Sequence, residues 1–201
     1  VSSGVPNATC RGPVGTFRGR AGTLHRDKNG PPLAKRLIEV NAMLELVSQP
    51  DTINFGDLPE DIDALLQQGV AAYRRDHARA DRLFRQALEA APRQLPTYFC
   101  LYKIHTYQGN LDEAEAVAEL GLKEAARQAG WPADWRQWIP HTPLPDGAGR
   151  FALYTLKALA FIHLRKDDRA GAMQMLDALR QLDPTGAVGW PVVAALADGI
   201  G

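Results

Sequence analysis

The chain has 201 residues, with 23 Lys and Arg against 23 Asp and Glu, 45 % apolar and 23 % charged residues. That balance excludes a uniformly basic nucleic-acid binder and an acidic disordered chain, and the length suffices for one core-forming domain with a tail. Two cysteines, Cys10 and Cys100, cannot build a disulfide framework or a four-cysteine zinc site, and no apolar run reaches the length of a membrane span.

The neutral total hides an asymmetry. Residues 1–42 hold seven basic side chains (Arg11, Arg18, Arg20, Arg26, Lys28, Lys35 and Arg36) against Asp27 and Glu39, a net charge of +5, so the remainder carries −5. Up to Pro32 the segment is rich in Gly, Pro, Ser, Thr and Asn. Such a composition does not offset the entropy of ordering a backbone, so residues 1–32 are predicted to be a disordered basic arm. The arm has no apolar h-region of a secretory signal, and without one the acceptor pattern Asn7-Ala8-Thr9 is a chance match. It has few acids and frequent Arg, as organellar peptides do, but no helical apolar face before Leu33. Val1 is not Met, and a start at Met43 would make residues 1–42 an upstream extension. N-terminal mass spectrometry distinguishes the two.

Residues 33–58 are predicted to be a helix and a linker. Leu33, Leu37, Ile38, Leu44 and Val47 fall near one helical stripe over 33–48, which Pro50 ends. Asp57, with Glu60 three residues on, has the spacing of a capping box for the next helix.

From residue 59 to 199 the pattern is helical, and the domain is predicted to be all-α. It repeats. ADRLFRQALEAAP (Ala80 to Pro92) and AMQMLDALRQLDP (Ala172 to Pro184) align on small and large residues, and AEAVAELGLKEAA (from Ala114) shares their opening step. Ala80 and Ala114 are 34 apart, and Ala114 and Ala172 are 58 apart, which is one more period plus a 24-residue insertion. Each repeat is preceded by a second helical segment: IDALLQQGVAAYRR, PTYFCLYKIHTYQ and FALYTLKALAFIHLR. Turns are expected at Asp76-His77, Gly109-Asn110 and Lys166-Asp167-Asp168.

A 34-residue helix–turn–helix period resembles the tetratricopeptide repeat (TPR) family. Gly69 and Ala160 match its small residue in the first helix, and Ala80, Ala114 and Ala172 the one in the second. Phe84 and Leu176 match its groove-filling residue, Gly109 its turn glycine, and Pro92 and Pro184 its terminator. The resemblance implies an α-α superhelix of three units. Two departures bear on geometry. The first unit is one residue short between Gly69 and Ala80. The second has Ala118 and Gly121 where bulkier residues are usual and Ala126 in place of Pro, so its second helix should run on to Ala129. The segment GAVGWPVVAALADGI should supply a C-terminal cap from about Pro191, apolar at Val192, Val193, Ala195 and Leu196.

The insertion, residues 127–150, carries Trp131, Trp135 and Trp138 together with Pro132, Pro140, Pro143 and Pro145. PADWRQWI could form a short helix with the three tryptophans on one face. That stripe either packs back on the superhelix or lines a ligand site, since aromatic anchors are frequent in binding hot spots. The single PxxP spacing from Pro140 to Pro143 is weak as a recognition motif.

In the resembled family the first helices line a concave, peptide-binding face. Carried over, its positions are Tyr73 and Arg74, then Phe99, Lys103, Thr106 and Tyr107, then Tyr154, Lys157, Phe161 and Arg165. The set is aromatic and cationic, suited to an acidic or mixed apolar peptide; the insertion or the C-terminal helix could instead cover part of it. One branch of the family clamps acidic chaperone tails with Lys and Asn. The corresponding places here are Leu66, Val70, Cys100, Tyr154 and Ala158, so that partner class is not expected.

No P-loop, GxGxxG, HExxH or GxSxG occurs. His105 and His163 hold equivalent places in two first helices and are expected to be satisfied core or groove residues. Cys100 and His105 do not share a helical face. Asp112, Glu113 and Glu115 open a helix, where acids favour the positive dipole end and a capping role is expected. No cofactor and no metal are predicted. The expectation is a non-catalytic, cytoplasmic adaptor or assembly helper that binds a protein segment on its concave face. The alternatives are nucleic-acid contact through the basic arm and an enzyme using the Trp-rich pocket with His141 or His163. An uncapped terminal face would allow a homodimer.

Overall fold

A computed structural model describes residues 53–199, and the predicted arm and the helix predicted over 33–48 lie outside them. The described residues are helical, with no strand among them. Seven α-helices follow in order: α1 Glu60–Tyr73, α2 His77–Ala90, α3 Leu95–Gln108, α4 Leu111–Ala129, α5 Gly147–Arg165, α6 Arg169–Leu182 and α7 Trp190–Gly199. None of these helices is long and apolar enough to cross a membrane.

Short turns make α1/α2, α3/α4 and α5/α6 antiparallel pairs. Each helix packs on its chain neighbours, and α3 also meets α1 and α5, while α5 meets α7. The first helices of successive pairs therefore lie side by side, the arrangement of an α-α superhelix. α3 is the central helix, and its sequence is apolar nearly all round. Leu95, Thr97, Tyr98, Cys100, Leu101, Tyr102, Ile104, His105 and Thr106 are all buried, as a helix surrounded by partners requires.

The repeat positions are where helices touch. Ala80, Ala114, Ala160 and Ala172 are all fully buried, and so are Phe84 and Leu176. A Cβ built on Gly69 would lie 2.3 Å from Phe84 Cε1, so the ring of α2 rests on bare α1 backbone. The middle pair inverts this relation. Tyr102 takes the place of Gly69, Ala118 takes the place of Phe84, and Gly121 of α4 makes room for Tyr98 of α3. A Cβ on Gly121 would lie 2.8 Å from Tyr98 Cβ. The contact is with the root of the side chain, which cannot swing away. Gly121→Ala should therefore destabilise the fold by about 1–2 kcal/mol in urea unfolding, although alanine is intrinsically the better helix former by ~1 kcal/mol. A variant at least as stable as the parent would refute this close approach.

Some helix ends are closed by local side chains or glycines, and others carry no side-chain cap. The Asp76 carboxylate accepts from Arg79 N and caps α2, and Asp168 accepts from Gly171 N and caps α6. Gly109 and Gly130 end α3 and α4 at φ +81° and +70°, a region open to glycine. α4 reaches Ala129, as the absence of Pro at 126 implies. The capping box from Asp57 to Glu60 is not formed. α1 starts behind Pro59, whose extended ψ of 138° and carbonyl, which accepts from Ile62 N and Asp63 N, launch the helix, and Glu60, Asp61 and Asp63 supply the first-turn acids. The segment before α1 is tied instead by Gln67, whose side-chain amide accepts from Ile53 N and donates to Ile53 O.

The insertion is shorter than its sequence alignment indicates. Residues 127–129 complete α4 and residues 147–150 begin α5, leaving 130–146 as the loop. At the other end, α7 buries Trp190, Val193 and Ala197. Val192 is 62 % exposed, and Ala195 is exposed too, so the apolar face is rotated from the one predicted.

Candidate functional site

Five of the ten predicted inner-face residues come together on α3 and α5. Phe99, Lys103 and Tyr107 recur at helical spacing along α3. The Phe99 ring stands 6.0 Å from that of Tyr154 on α5 and edge-on to Tyr102 at 5.7 Å. Lys103 Nζ sits 5.1 Å from the Phe99 centroid and 5.8 Å from that of Tyr107. Lys157 Nζ lies 3.6 Å from the Tyr154 centroid. Each ammonium faces the negative face of a ring, which fixes otherwise mobile lysines. Tyr154 remains 38 % exposed, the most open large apolar side chain of this face.

The other five do not join this cluster. Thr106 is buried, and its hydroxyl donates to Tyr102 O at 2.6 Å, so it is not an inner-surface position. The reason is the central place of α3, which leaves only a narrow strip of the helix uncovered. Tyr73 stacks on His77 at the start of α2, with ring centroids 4.6 Å apart. Arg74 is exposed just beyond the end of α1. Phe161 packs against the core, and Arg165 is the last residue of α5. The C-terminal turn reaches the strip, because a Cβ on Gly189 would lie 3.7 Å from Lys157 Nζ.

Tyr102 is the member that the family positions miss. It is buried behind Phe99, and burial raises its hydroxyl pKa well above the ordinary value. Ala118, small where a bulky residue is usual, is the sequence signal that a large ring fills this gap. Burial also pushes the Cys100 thiol up to about 12, so it stays neutral and packs as a small hydrophobe.

The tryptophan loop divides in two. Only Trp135–Gln137 form a turn of 3₁₀-helix, capped by Asp134, so the predicted one-faced helix is absent. Trp131 meets Trp138 edge-on at 4.9 Å and stacks on His141 at 5.0 Å. Trp138 is buried, and its indole N–H donates to Pro132 O at 2.7 Å. Gly149 of α5 admits Trp131, whose Cζ2 would be 3.1 Å from a Cβ there. Trp131 and Trp138 thus fasten the loop to the core. Trp135, with the Arg136 guanidinium 4.4 Å above its ring, lines a cleft of about 380 Å³ against Gln174, Asp177 and Gln181 of α6.

The acids that open α4 do not cap it. Glu113 accepts from Arg85 of α2 at 2.6 Å, Asp112 pairs with Lys166 at 2.6 Å, and Glu115 pairs with both Lys166 and His163. They join helix pairs rather than closing a helix end. His105, 6 % exposed, meets Asp81 at 3.0 Å in the equivalent register one unit earlier. Among the described residues no group of three or more His, Cys, Asp or Glu stands ready for a metal ion.

Comparison with protein-family models, with curated proteins and with solved structures finds no match for this chain.

Proposed function

We propose that the chain is a TPR-like, non-catalytic binding module that holds a segment of a protein partner along the strip formed by α3 and α5. The observation that supports this reading is the gathering of Phe99, Lys103, Tyr107, Tyr154 and Lys157 from two helices of different units. Preset aromatic and cationic groups lose little entropy on binding, and their chemistry suits a segment with carboxylates beside apolar side chains. The neutral, buried Cys100 thiol offers no nucleophile at this strip, which favours binding over catalysis. We also infer a cytoplasmic setting, in which such a thiol persists in reduced form.

The test begins with a photo-crosslinking residue at position 154 of the full chain, which identifies what lies against the strip. Lys103→Glu with Lys157→Glu should then weaken affinity for that partner by about tenfold or more, a loss of ~1.4 kcal/mol. Circular dichroism should be unchanged. Unaltered affinity in a folded double variant would place the partner on another surface.

A further inference from the structure

We propose that residues 37–52 of the chain itself are a built-in competitor for the strip of α3 and α5, which a partner must displace; this presupposes that the strip is a peptide site. The sequence ahead of the described residues changes character at one point. Residues 1–36 hold all seven basic side chains of the N-terminal region against Asp27 alone. Residues 37–52 hold Glu39, Glu45 and Asp51 and no Lys, Arg or His, and eight of these sixteen residues are apolar. Carboxylates beside apolar side chains are the chemistry that the strip suits.

The two patterns are converse. In helical register Leu37, Val40, Leu44 and Val47 share one stripe, with Glu39 on one flank and Glu45 on the other. On the strip, Phe99 and Tyr154 make an aromatic seam across α3 and α5, their rings 6.0 Å apart. Each of the two helices adds one lysine held over a ring, Lys103 on α3 and Lys157 on α5. Ammonium groups so placed can donate to carboxylates that flank an apolar ridge. A basic segment would meet like charge there.

The tether points the same way. Ile53, the first described residue, is fastened to α1: its N–H donates to Gln67 Oε1 at 3.2 Å, and its carbonyl accepts from Gln67 Nε2 at 2.7 Å. Phe55 and Leu58, just after it, pack against the core. Gln67, Val70 and Arg74 recur at helical spacing, and Arg74 is one of the predicted inner-face positions. Ile53 is therefore held on the inner side of α1, which packs on α3. With neighbouring helices about 8–10 Å apart, the middle of the strip is ~15 Å away. Five extended residues before Ile53 span ~16 Å, and a helix over 37–48 would be ~18 Å long, enough to cover the two turns from Phe99 to Tyr107.

A short tether favours the chain's own segment over a second copy. It holds the segment at an effective concentration of about 1 mM, far above the concentration of free chains in solution. A segment with a Kd of ~0.1 mM in trans would then fill the strip about nine-tenths of the time. The apparent affinity of any competitor falls about tenfold, so only a partner that binds more tightly or at high concentration gains the strip.

The test uses the purified full chain with a photo-crosslinking residue at position 154. Irradiation should give an adduct at monomer mass that maps to residues 37–52, and Val40→Asp with Leu44→Asp should abolish it. A fluorescent peptide of residues 37–52 should bind that double variant about tenfold more tightly than it binds the wild-type chain. An adduct at dimer mass, an adduct elsewhere in the chain, or equal peptide affinities would overturn the built-in competitor. If the purified chain gives no such adduct while position 154 crosslinks another protein in cells, the competitor is refuted and the strip still stands as a binding site. If position 154 crosslinks nothing in either setting and the peptide binds neither form, both readings fall.

Discussion

Asp183→Ala is expected to cost about 3–5 kcal/mol and to detach the C-terminal helix first. The carboxylate is fully buried, 0 % exposed. Its Oδ1 accepts from Ala187 N and the Thr185 hydroxyl, each at 3.0 Å, and its Oδ2 accepts from Val188 N at 2.8 Å. Its own carbonyl accepts from the Trp190 indole N–H at 2.8 Å. One residue thus ends α6, folds the turn over residues 184–189 and seats the first residue of α7. In the alanine variant water can reach Thr185, which is exposed. Val188 is 4 % exposed, so its N–H would stay dry and unpaired, at ~1–3 kcal/mol for that group alone. Asp183→Asn should fall between, because one amide oxygen still accepts but the NH2 opposes a backbone donor. Urea unfolding reads the total as a Tm-equivalent drop of about 10–15 °C. Amide exchange locates it, with Val188 and α7 losing protection before α5 and α6. A change below ~0.5 kcal/mol would show that the turn holds itself without the carboxylate.

The sequence carried no sign of this role. Asp183 precedes Pro184 and reads as part of a helix stop, and its three acceptances become visible only once the turn has closed over it. The repeat was legible for the opposite reason. Ala80, Ala114 and Ala172 mark places where only small side chains let helices approach, so their 34-residue spacing is the packing itself written along the chain. The extension of α4 to Ala129 followed from one missing proline. Both inferences rest on sterics within a single pair, which a linear pattern records.

Features that depend on neighbours two helices away were read less well. Asp112, Glu113 and Glu115 have the local signature of a helix opening, yet their partners are Lys166 in the α5–α6 turn and Arg85 and His163 on flanking helices. Thr106 fell on a family surface position, but α3 is enclosed on most sides and its hydroxyl turns back to Tyr102 O. In the insertion the spacing of Trp131, Trp135 and Trp138 suggested one helical face. Two of the rings instead pack on each other, because burying Trp131 against Gly149 and Trp138 against the core gains more than a short exposed helix could. The strip of Phe99, Lys103, Tyr107, Tyr154 and Lys157 lay between these cases. Its members were readable by spacing, while its extent was not.

Phe84→Ala should be the most damaging single apolar truncation in the first pair, at about 3–5 kcal/mol. The ring is 1 % exposed and rests directly on Gly69, so the removed volume borders backbone on one side and cannot be refilled by a neighbouring side chain. α1 packs chiefly on α2 and α3. Loss of the α2 contact should therefore free α1 before the later pairs, as expected for an array whose units are stabilised by nearest neighbours. The decisive measurement is a double-mutant cycle with Gly69→Ala. In the parent, a Cβ at 69 meets the Phe84 ring at 2.3 Å and must destabilise. In the Phe84→Ala background the same methyl enters the vacated space and also improves helix propensity, so it should stabilise by about 1 kcal/mol. A substitution that changes sign with its partner carries a coupling energy of ~2–3 kcal/mol. Additive effects would mean that the ring and the glycine do not share the space the structure gives them, and the first unit would then be held by contacts other than its repeat positions.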